Sequence, residues 1–454
     1  MELKDLFITP FYLALVYLIA YGVRSSVTNI YTKKYFIPAL SVKLIGAISL
    51  GILYTTLYDG DTNNYYRHAG IVYHAFGDSF AAGWELVTTS GDVTPAIRKY
   101  TDQFNWFGHG SNEYFVVRVA AVFALLSFNT YTVIAVLFAV ITFSGMWVMY
   151  VTFVKLRPQA YKELAIAVFF LPSVFFWGSG LLKDSLCLGA LGWLFYAFYR
   201  GAIERKNILR CSLVGTSAVG VIFAMKIYIL LAFMPPALLW VFNENSNKIR
   251  NTALRWLSKP LFLGVGVGVA LFVFTQIAAT DARFNVDKIG AQSKLTSDYL
   301  QQVSQSERGS GYNIGVQDGT IGSMVKLAPQ AVVVSLFRPF IWEAHNPTMA
   351  LSAFEALYFL VLTLRILWRV GLTKTFSAIS TVPVLTLCFV FSLIFAISVG
   401  ISSGNFGTLV RYKIPLMPFY LSGLYILQSI TVPLVKTRPG QHRIAGISQL
   451  AARN

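Results

Sequence analysis

The polar stretch at residues 58–68, YDGDTNNYYRH, places two carboxylates directly after an apolar run. Keeping a charged acid beside hydrocarbon is costly, so acids at such positions usually do chemistry, bind a cation or orient a ligand. Partial desolvation raises the pKa of a carboxyl group, which suits it to remove a proton from an attacking hydroxyl group. The sequence therefore predicts that Asp61 or Asp59 is a catalytic base.

Three polar side chains follow these acids and are candidates for binding a substrate: Tyr66, Arg67 and His68. The other interpretation of this stretch is a helix start, because an Asp or Thr before Asn-Asn-Tyr-Tyr can accept hydrogen bonds from free backbone N–H groups. The two interpretations are compatible, since a residue at a helix start can also face a ligand.

A second cluster lies in the sequence WGSGLLKDS at residues 177–185, where one apolar run ends and the next begins. Its glycines allow a sharp turn, and Lys183 brings a cation to the depth of the acids, where it could hold a phosphate. Asp184 belongs to the same candidate site. The alternative is a water-exposed turn in which Asp184 or Ser185 caps the following helix.

Two later segments add further cations. Arg338 stands between aromatic residues in the sequence FRPF, where it could bind a phosphate bidentately or only anchor the chain at a membrane surface. Arg411, Tyr412 and Lys413 open the sequence RYKIPLMP, directly before the last apolar run. On the orientation derived below, this positive charge lies on the outer side, against the usual bias, which favours a role in binding.

The metal content is left open by the sequence. A divalent cation could sit at the acids, although His68, His74 and His109 do not have the spacing of a zinc site. The three cysteines lie in apolar runs, where a cysteine behaves as a small hydrophobic residue, so neither a disulfide framework nor a metal cluster is predicted.

The composition indicates what kind of scaffold must position these side chains. The chain of 454 residues is 56% hydrophobic and 13% charged, with a mean hydropathy of +0.60. A water-soluble core of this length has no room for so much apolar surface, so we predict an all-α, polytopic bundle of transmembrane helices. No long polar block separates the apolar runs, which predicts one membrane domain over residues 1–454.

About eleven stretches are long and apolar enough to be predicted as spans. They are residues 7–24, 37–57, 131–154, 164–178, 185–201, 211–225, 228–242, 260–279, 350–370, 379–401 and 414–434. Lys and Arg collect in alternate short loops, for example at Lys155, Arg157 and Lys162, which assigns those loops to the cytoplasm. The N-terminus is then outside and the C-terminus is cytoplasmic.

The two longest polar segments, about 58–130 and 280–349, fall on the outer side and form the predicted active face. For this topology to close, Glu113–Phe128 and Met324–Trp342 must lie along the outer surface as amphipathic helices. The alternative is that one of them spans the membrane.

Three charged residues fall inside predicted spans: Lys43, Lys226 and Glu355. Each is close enough to a helix end to extend its charge towards water, so Lys226→Met is expected to be nearly silent. The net charge of +17 is then mainly a topology signal with attraction to anionic lipid. No basic run interleaved with aromatic residues predicts a nucleic-acid groove, so nucleic acid is excluded as a partner.

The Gly-Asp-Thr and Tyr-Tyr of the first outer loop, with WGSGLLKDS, FRPF and RYKIPLMP, resemble the GT-C class of integral-membrane glycosyltransferases and the related polymerases of bacterial surface-polysaccharide synthesis. The resemblance implies a GT-C-like fold in the bacterial inner membrane. It implies inverting transfer of a sugar or glycan from a polyprenyl-phosphate or polyprenyl-pyrophosphate donor to a glycan acceptor, with no cofactor required.

The same resemblance assigns the base to Asp61 or Asp59, and the contacts with the donor phosphate to Lys183, Arg338 or Arg411. The extra N-terminal helix before the acid-bearing loop departs from the family pattern, which leaves polymerase and single-sugar transferase as alternatives. A transporter of lipid-linked glycans would instead carry charges along a pathway through its spans. A scaffold protein would not need clustered acid, arginine and lysine.

Overall fold

A computed structural model describes residues 3–56, 60–89, 91–104, 112–246, 289–306 and 311–431. Asp59, one of the two predicted bases, and the predicted span at 260–279 lie outside the described residues.

The described residues form eighteen α-helices, and they contain no β-strand. In chain order the helices are α1 (Leu3–Val27), α2 (Lys33–Thr56), α3 (Asp61–Asp78), α4 (Phe80–Thr88), α5 (Pro95–Thr101), α6 (Tyr114–Leu126), α7 (Tyr131–Leu156), α8 (Tyr161–Phe169), α9 (Pro172–Trp177), α10 (Lys183–Ala197), α11 (Ile208–Ser246), α12 (Ile289–Ser306), α13 (Ile321–Phe337), α14 (Pro347–Val370), α15 (Leu372–Thr381), α16 (Pro383–Ser402), α17 (Phe406–Tyr412) and α18 (Met417–Thr431). A π-helical turn, Phe198–Ile203, extends α10.

Seven helical segments in this part of the chain are long and apolar enough to cross a membrane. They are Leu3–Val27, Lys33–Thr56, Tyr131–Leu156, Lys183–Ile203, Ile208–Glu244, Pro347–Val370 and Pro383–Ser402. The protein is therefore an all-α helical bundle of the multi-pass membrane type, and the finer count of about eleven spans stays a prediction. The predicted spans at 164–178 and 414–434 correspond to shorter helices, α8 with α9, and α18.

Helix α11 reverses its direction at Lys226, the one residue inside it with non-helical dihedral angles (φ −143°, ψ 71°). Its first half packs against the end of α10, where Gly215 lies beside Ala197. Its second half returns to the same end, where the rings of Trp240 and Phe198 are 5.9 Å apart. A straight helix of this length would be about 58 Å long, whereas each half matches the roughly 30 Å of bilayer hydrocarbon. The halves cover the two stretches predicted as separate spans at 211–225 and 228–242.

Helices α8 and α9 also form a broken pair, interrupted at Phe170 and Leu171, and α9 begins at Pro172. Proline has no N–H to donate to the preceding turn, so the helix ends there and a new one begins. Helix α9 then packs tightly on α2, since any side chain at Gly46 would collide with the carbonyl oxygen of Phe175. This close contact brings the loop before α10 into the bundle.

Helices α3 to α6 cover the end of the bundle at which α2 stops and α7 starts, which we call the loop end. Thr62 is hydrogen-bonded to the hydroxyl of Tyr131 at 2.9 Å, and the Tyr66 hydroxyl donates to the carbonyl of Asn129 at 2.8 Å. The start of α1 lies at the same end, because Asp5 accepts a hydrogen bond from the backbone N–H of Thr132.

Both segments predicted to lie along the surface form helices shorter than the seven segments above. Helix α6 has 13 residues and α13 has 17. Helix α13 packs along the loop-end half of α16, where the Ser335 hydroxyl donates to the carbonyl of Ala396 at 2.7 Å. A side chain at Gly400 would collide with Ala331, so the two backbones are close.

The prediction that the three interior charges extend towards water is wrong. Lys43 is fully buried, and Lys226 and Glu355 are each 6% exposed. Lys43 donates to the carbonyl of Gly178, Lys226 pairs with Asp184, and Glu355 accepts from the hydroxyl of Ser173. Burial of a charged group is compensated only by such partners, which the sequence pattern does not reveal.

Candidate functional site

Arg411, near the end of α17, bridges two carboxylates from distant parts of the chain. Its Nε donates to Oδ2 of Asp184 at 2.8 Å, and its Nη2 donates to Oδ2 of Asp61 at 2.6 Å. A planar guanidinium group with several fixed donors is the side chain best suited to hold two acids at once. Burial disfavours its charge, but the two carboxylates raise the pKa of Arg411 well above its ordinary value.

Lys226 continues this contact on the far side of Asp184 by pairing with its other oxygen, Oδ1. We call the series Asp61, Arg411, Asp184 and Lys226 the charge chain. The exposed fraction of the side chain falls along it, from 49% for Asp61 to 14% for Arg411 and 0% for Asp184. Only the Asp61 end is therefore open to a ligand, and Asp184 is closed to it.

Local structure explains how the two acids reach Arg411. Asp61 is the first residue of α3 and Asp184 is the second residue of α10. Carboxylates are favoured in the first turn of a helix because they face its free N–H groups. The Thr142 hydroxyl donates to the carbonyl of Ser185, so the start of α10 lies beside a point about 16 Å along α7 from its first residue. The inner members of the charge chain, Asp184 and Lys226, are therefore buried within the helix bundle.

The helix reversal at Lys226 directs the lysine to Asp184. Its Nζ also lies 4.4 Å from the centre of the Tyr412 ring, a cation–π distance. Tyr412, predicted to bind substrate, therefore packs against the buried end of the charge chain.

A second ion pair lies at the loop end. Lys183 Nζ pairs with Glu113 at 2.7 Å, and both side chains are partly exposed. This contact joins α10 to the start of α6. Burial opposes ionisation of Glu113, but Lys183 outweighs it and holds the pKa of this carboxyl below its ordinary value. Tyr54 at the end of α2 is within hydrogen-bonding reach of Arg411.

The other side chains predicted in the first loop have local contacts. Tyr66 binds the Asn129 carbonyl, as described above. Arg67 is exposed and donates to Asn64 at 3.0 Å. His68 is buried and stacks on Phe104, with ring centroids 4.8 Å apart. Its burial, and secondly the charge of Arg67, lower the pKa of His68 to about 4, so it is neutral at pH 7.

Arg338 and Lys413 form a separate cluster. Arg338 pairs with Glu343 through both Nε, at 3.0 Å, and Nη2. Its guanidinium carbon lies 5.1 Å from the centre of the Phe406 ring. Lys413 is buried and donates to the backbone carbonyl of Arg338 at 3.2 Å, and burial lowers its pKa to about 8.

The predicted site residues thus divide into three groups. Asp61, Asp184, Arg411 and Tyr412 meet along the charge chain, with Lys183 nearby on α10. Arg338 and Lys413 meet in the second cluster, and Tyr66, Arg67 and His68 have the local contacts given above.

Sequence reasoning did not select Lys226, Glu113 or Tyr54 as site residues. For Lys226 a signal existed, because it is the single charge in the long apolar stretch at 211–242. Glu113 and Tyr54 carry no such signal, since each is close to its partner only through the fold.

The described residues do not fit a metal ion at the charge chain. No group of three or more His, Cys, Asp and Glu side chains converges anywhere in the ranges that the structure covers. Asp61 and Asp184 are both bound to Arg411, whose charge opposes a second cation.

The arrangement has the elements of a proton-transfer and anion-binding site: a half-exposed carboxylate held by a largely buried arginine. No protein-family model, curated protein or solved structure matches this chain.

Proposed function

We propose that the protein is a GT-C-like membrane glycosyltransferase, acting as a polymerase or a single-sugar transferase in cell-surface polysaccharide synthesis. Its donor is a sugar or glycan linked to a polyprenyl phosphate or pyrophosphate, and its acceptor is a glycan hydroxyl group. The observation that carries the proposal is the contact between half-exposed Asp61 and largely buried Arg411.

Arg411 would bind in turn the two groups whose charge changes in such a reaction, first Asp61 and then the donor phosphate. The donor phosphate competes with Asp61 for the Nη2 donors of Arg411, and a bound phosphate releases Oδ2 of Asp61 to face the acceptor. A guanidinium group binds phosphate and carboxylate with the same fork geometry, so the exchange needs no rearrangement of Arg411.

The reaction proceeds by displacement at the anomeric carbon. The acceptor oxygen forms its bond to this carbon while its proton passes to Asp61. The bond between the carbon and the phosphate oxygen breaks, and its electron pair leaves with the lipid phosphate. One negative charge thus moves from Asp61 to the phosphate, where Arg411 stabilises it.

A cavity of about 630 Å³ beside Arg338 gives room for part of the lipid chain. Its walls include Ile314, Val333, Val334 and Phe340, which are apolar. It adjoins the charge chain through α17, because Phe406 of that helix packs on Arg338 and Arg411 stands five residues later.

The distribution of charge supports an orientation in which the loop end faces outward; the membrane proposed for a protein of this function is the bacterial inner membrane. Lys155 and Arg157 lie at the opposite end, where Arg157 donates to Ser429 near the end of α18. Basic residues favour the cytoplasmic side. With that orientation the N-terminus is outside, and the chain runs towards a cytoplasmic C-terminus.

Transport of a lipid-linked glycan is the second candidate, and the helix reversal at Lys226 favours it. Interrupted helices that end inside the bundle often form the binding sites of transporters, and their C-terminal carbonyls can coordinate a cation. Here a buried lysine occupies such positions: Lys43 binds the carbonyl of Gly178 after α9, and Lys413 binds that of Arg338 after α13. Because a lysine ammonium group already occupies the carbonyl at each of these two helix ends, a coupling cation is not expected to bind there.

Deleting the gene in its host and analysing lipid-linked glycans by mass spectrometry separates the candidates. We expect loss of one surface glycan and accumulation of its lipid-linked unit in the outer leaflet. Wild-type protein should restore the glycan and Asp61→Asn should not. Accumulation in the inner leaflet, or rescue by both forms, would support transport instead.

A further inference from the structure

Two buried members of the charge chain stand behind Arg411 and take no part in the proton transfer proposed above. The side chains of Asp184 and Lys226 are 0% and 7% exposed, so neither can touch a ligand at the loop end. One oxygen of Asp184 accepts from Arg411 and the other from Lys226. A single carboxylate is therefore shared by two cations.

We infer that Asp184 and Lys226 are a positioning pair that sets how much positive charge Arg411 presents to an anionic ligand. Asp184 holds the Nε side of the guanidinium, so that its Nη2 is directed to Asp61 and the opening. Lys226 offsets the negative charge that Asp184 would otherwise place directly behind the ligand. The inference rests on the proposed function, in which the ligand is the phosphate or pyrophosphate of a lipid.

The charge balance predicts that the two members of the pair affect anion binding in opposite directions, which a purely structural role would not. The four members of the chain sum to zero. Loss of the lysine charge leaves one excess negative charge, which repels an anion, whereas loss of the Asp184 charge leaves one excess positive charge, which attracts it. A unit charge on the order of 10 Å away, at an effective dielectric constant of about 20, changes affinity about tenfold. A pair that only held helices together would weaken binding whichever member was lost.

The test uses the full chain in nanodiscs of zwitterionic lipid, with farnesyl phosphate as the probe and farnesol as its uncharged counterpart. Lys226→Met should raise the Kd for farnesyl phosphate about tenfold, and Asp184→Asn should lower it. Lys226→Arg and the double variant Lys226→Met with Asp184→Asn should return the Kd to within about threefold of wild type. Binding of farnesol should not change in any variant.

Lys155→Met is the control, because Lys155 also pairs with a carboxylate, that of Glu204, but lies at the opposite end of the bundle, far from Arg411. It should leave the Kd for farnesyl phosphate within about twofold. If Lys226→Met itself fails to fold, the double variant, which leaves no unpaired buried charge, and Asp184→Asn still decide the question. Weaker binding in both Asp184→Asn and the double variant would overturn the inference.

Arg411→Met separates this inference from the proposed function. If wild-type protein binds farnesyl phosphate and Arg411→Met does not, the anion site stands, and an unchanged Kd in Lys226→Met refutes the positioning pair alone. If wild-type protein and Arg411→Met bind equally, or neither binds, both the anion site and the positioning pair are refuted.

Discussion

At the scale of single residues, the contact between Asp61 and Arg411 would couple two events in the proposed transferase. Arg411 holds Asp61, so the proposed base would become available only after an anionic donor replaced it. This order would protect the donor, because a water molecule that entered first would meet an occupied carboxylate. The coupling depends on the partial exposure of Asp61, which allows a ligand to reach the pair.

Asp61→Asn is expected to reduce turnover by about 10²- to 10⁴-fold, since the amide keeps the shape of the side chain and loses the base. The protein should stay folded with only a modest fall in melting temperature, because Arg411 keeps its contact with Asp184 when Asp61 loses its charge. The matched control is Asp78→Asn at the other end of α3, where Asp78 pairs with Lys99 at 3.1 Å. Full activity in Asp61→Asn would exclude Asp61 as the base.

His68 predicts how the stability of this region depends on pH. Its pKa is about 4 in the folded protein and 6.5 in an unfolded chain, so the unfolded state binds more protons between these values. Stability should therefore be constant above pH 6.5 and fall as the pH drops towards 4, by about 3 kcal/mol in total. Thermal unfolding of wild type and His68→Gln at pH 7.5 and pH 5 measures this. An equal loss in both proteins would show that His68 is not responsible.

Sequence reasoning identified Asp61, Asp184 and Arg411 as candidates but did not predict that they touch. Asp61 and Arg411 are 350 residues apart, and their contact depends on how α3 and α17 are brought together. Local patterns report which residue types stand near a helix end, and they carry no information on pairing between distant segments. Because the contact between Lys226 and Asp184 also joins distant segments, the sequence did not reveal it, and the substitution Lys226→Met was expected to be nearly silent.

At the scale of elements, the reversal within α11 delivers a charge to the interior. The apolar stretch at 211–242 contains Pro235 and Pro236, yet the break falls at Lys226, where the lysine gains an ion pair with Asp184. The length of the stretch was enough to predict two spans. The residue at which the helix reverses was not predictable, because a tertiary contact fixes it and no local turn signal marks it.

Spin labels at Leu209→Cys and Glu244→Cys test this reversal. Both residues are exposed, and they lie at opposite ends of α11. A straight helix would separate them by about 52 Å, whereas two antiparallel halves bring them within about 20 Å. Double electron–electron resonance on the protein in nanodiscs should give the shorter distance. A distance above 40 Å would show that α11 is continuous.

At the scale of the whole molecule, the proposed transferase needs its charge chain to open on the outer side of the membrane. The exposed residues Asp92 and Lys206 should then lie on opposite sides of the membrane. Asp92 lies between α4 and α5 at the loop end, and Lys206 follows α10 and its π-helical turn at the opposite end. The native cysteines are buried, so new cysteines can be labelled selectively. An impermeant maleimide added to intact spheroplasts should label Asp92→Cys and spare Lys206→Cys. The reverse pattern would place the candidate site in the cytoplasm.

The general class of the molecule followed from its composition, because 56% hydrophobic residues in 454 exceed what a soluble core can bury. The breaks in its helices could not be predicted from composition. Contacts with α2 stabilise the pair α8 and α9, and contacts with α10 stabilise the two halves of α11. Hydropathy alone therefore predicts which residues are apolar, and it does not predict where the helix changes direction.

The most direct test of the proposed transferase uses the lipid-linked glycan that accumulates in a deletion strain. This lipid, incubated with purified wild-type protein in proteoliposomes and an acceptor glycan, should give one new glycosidic linkage for each lipid phosphate or pyrophosphate released. Asp61→Asn protein should give neither product at more than about 1% of the wild-type rate. Linkage formation by Asp61→Asn at the wild-type rate, or no linkage with wild-type protein, would contradict the account.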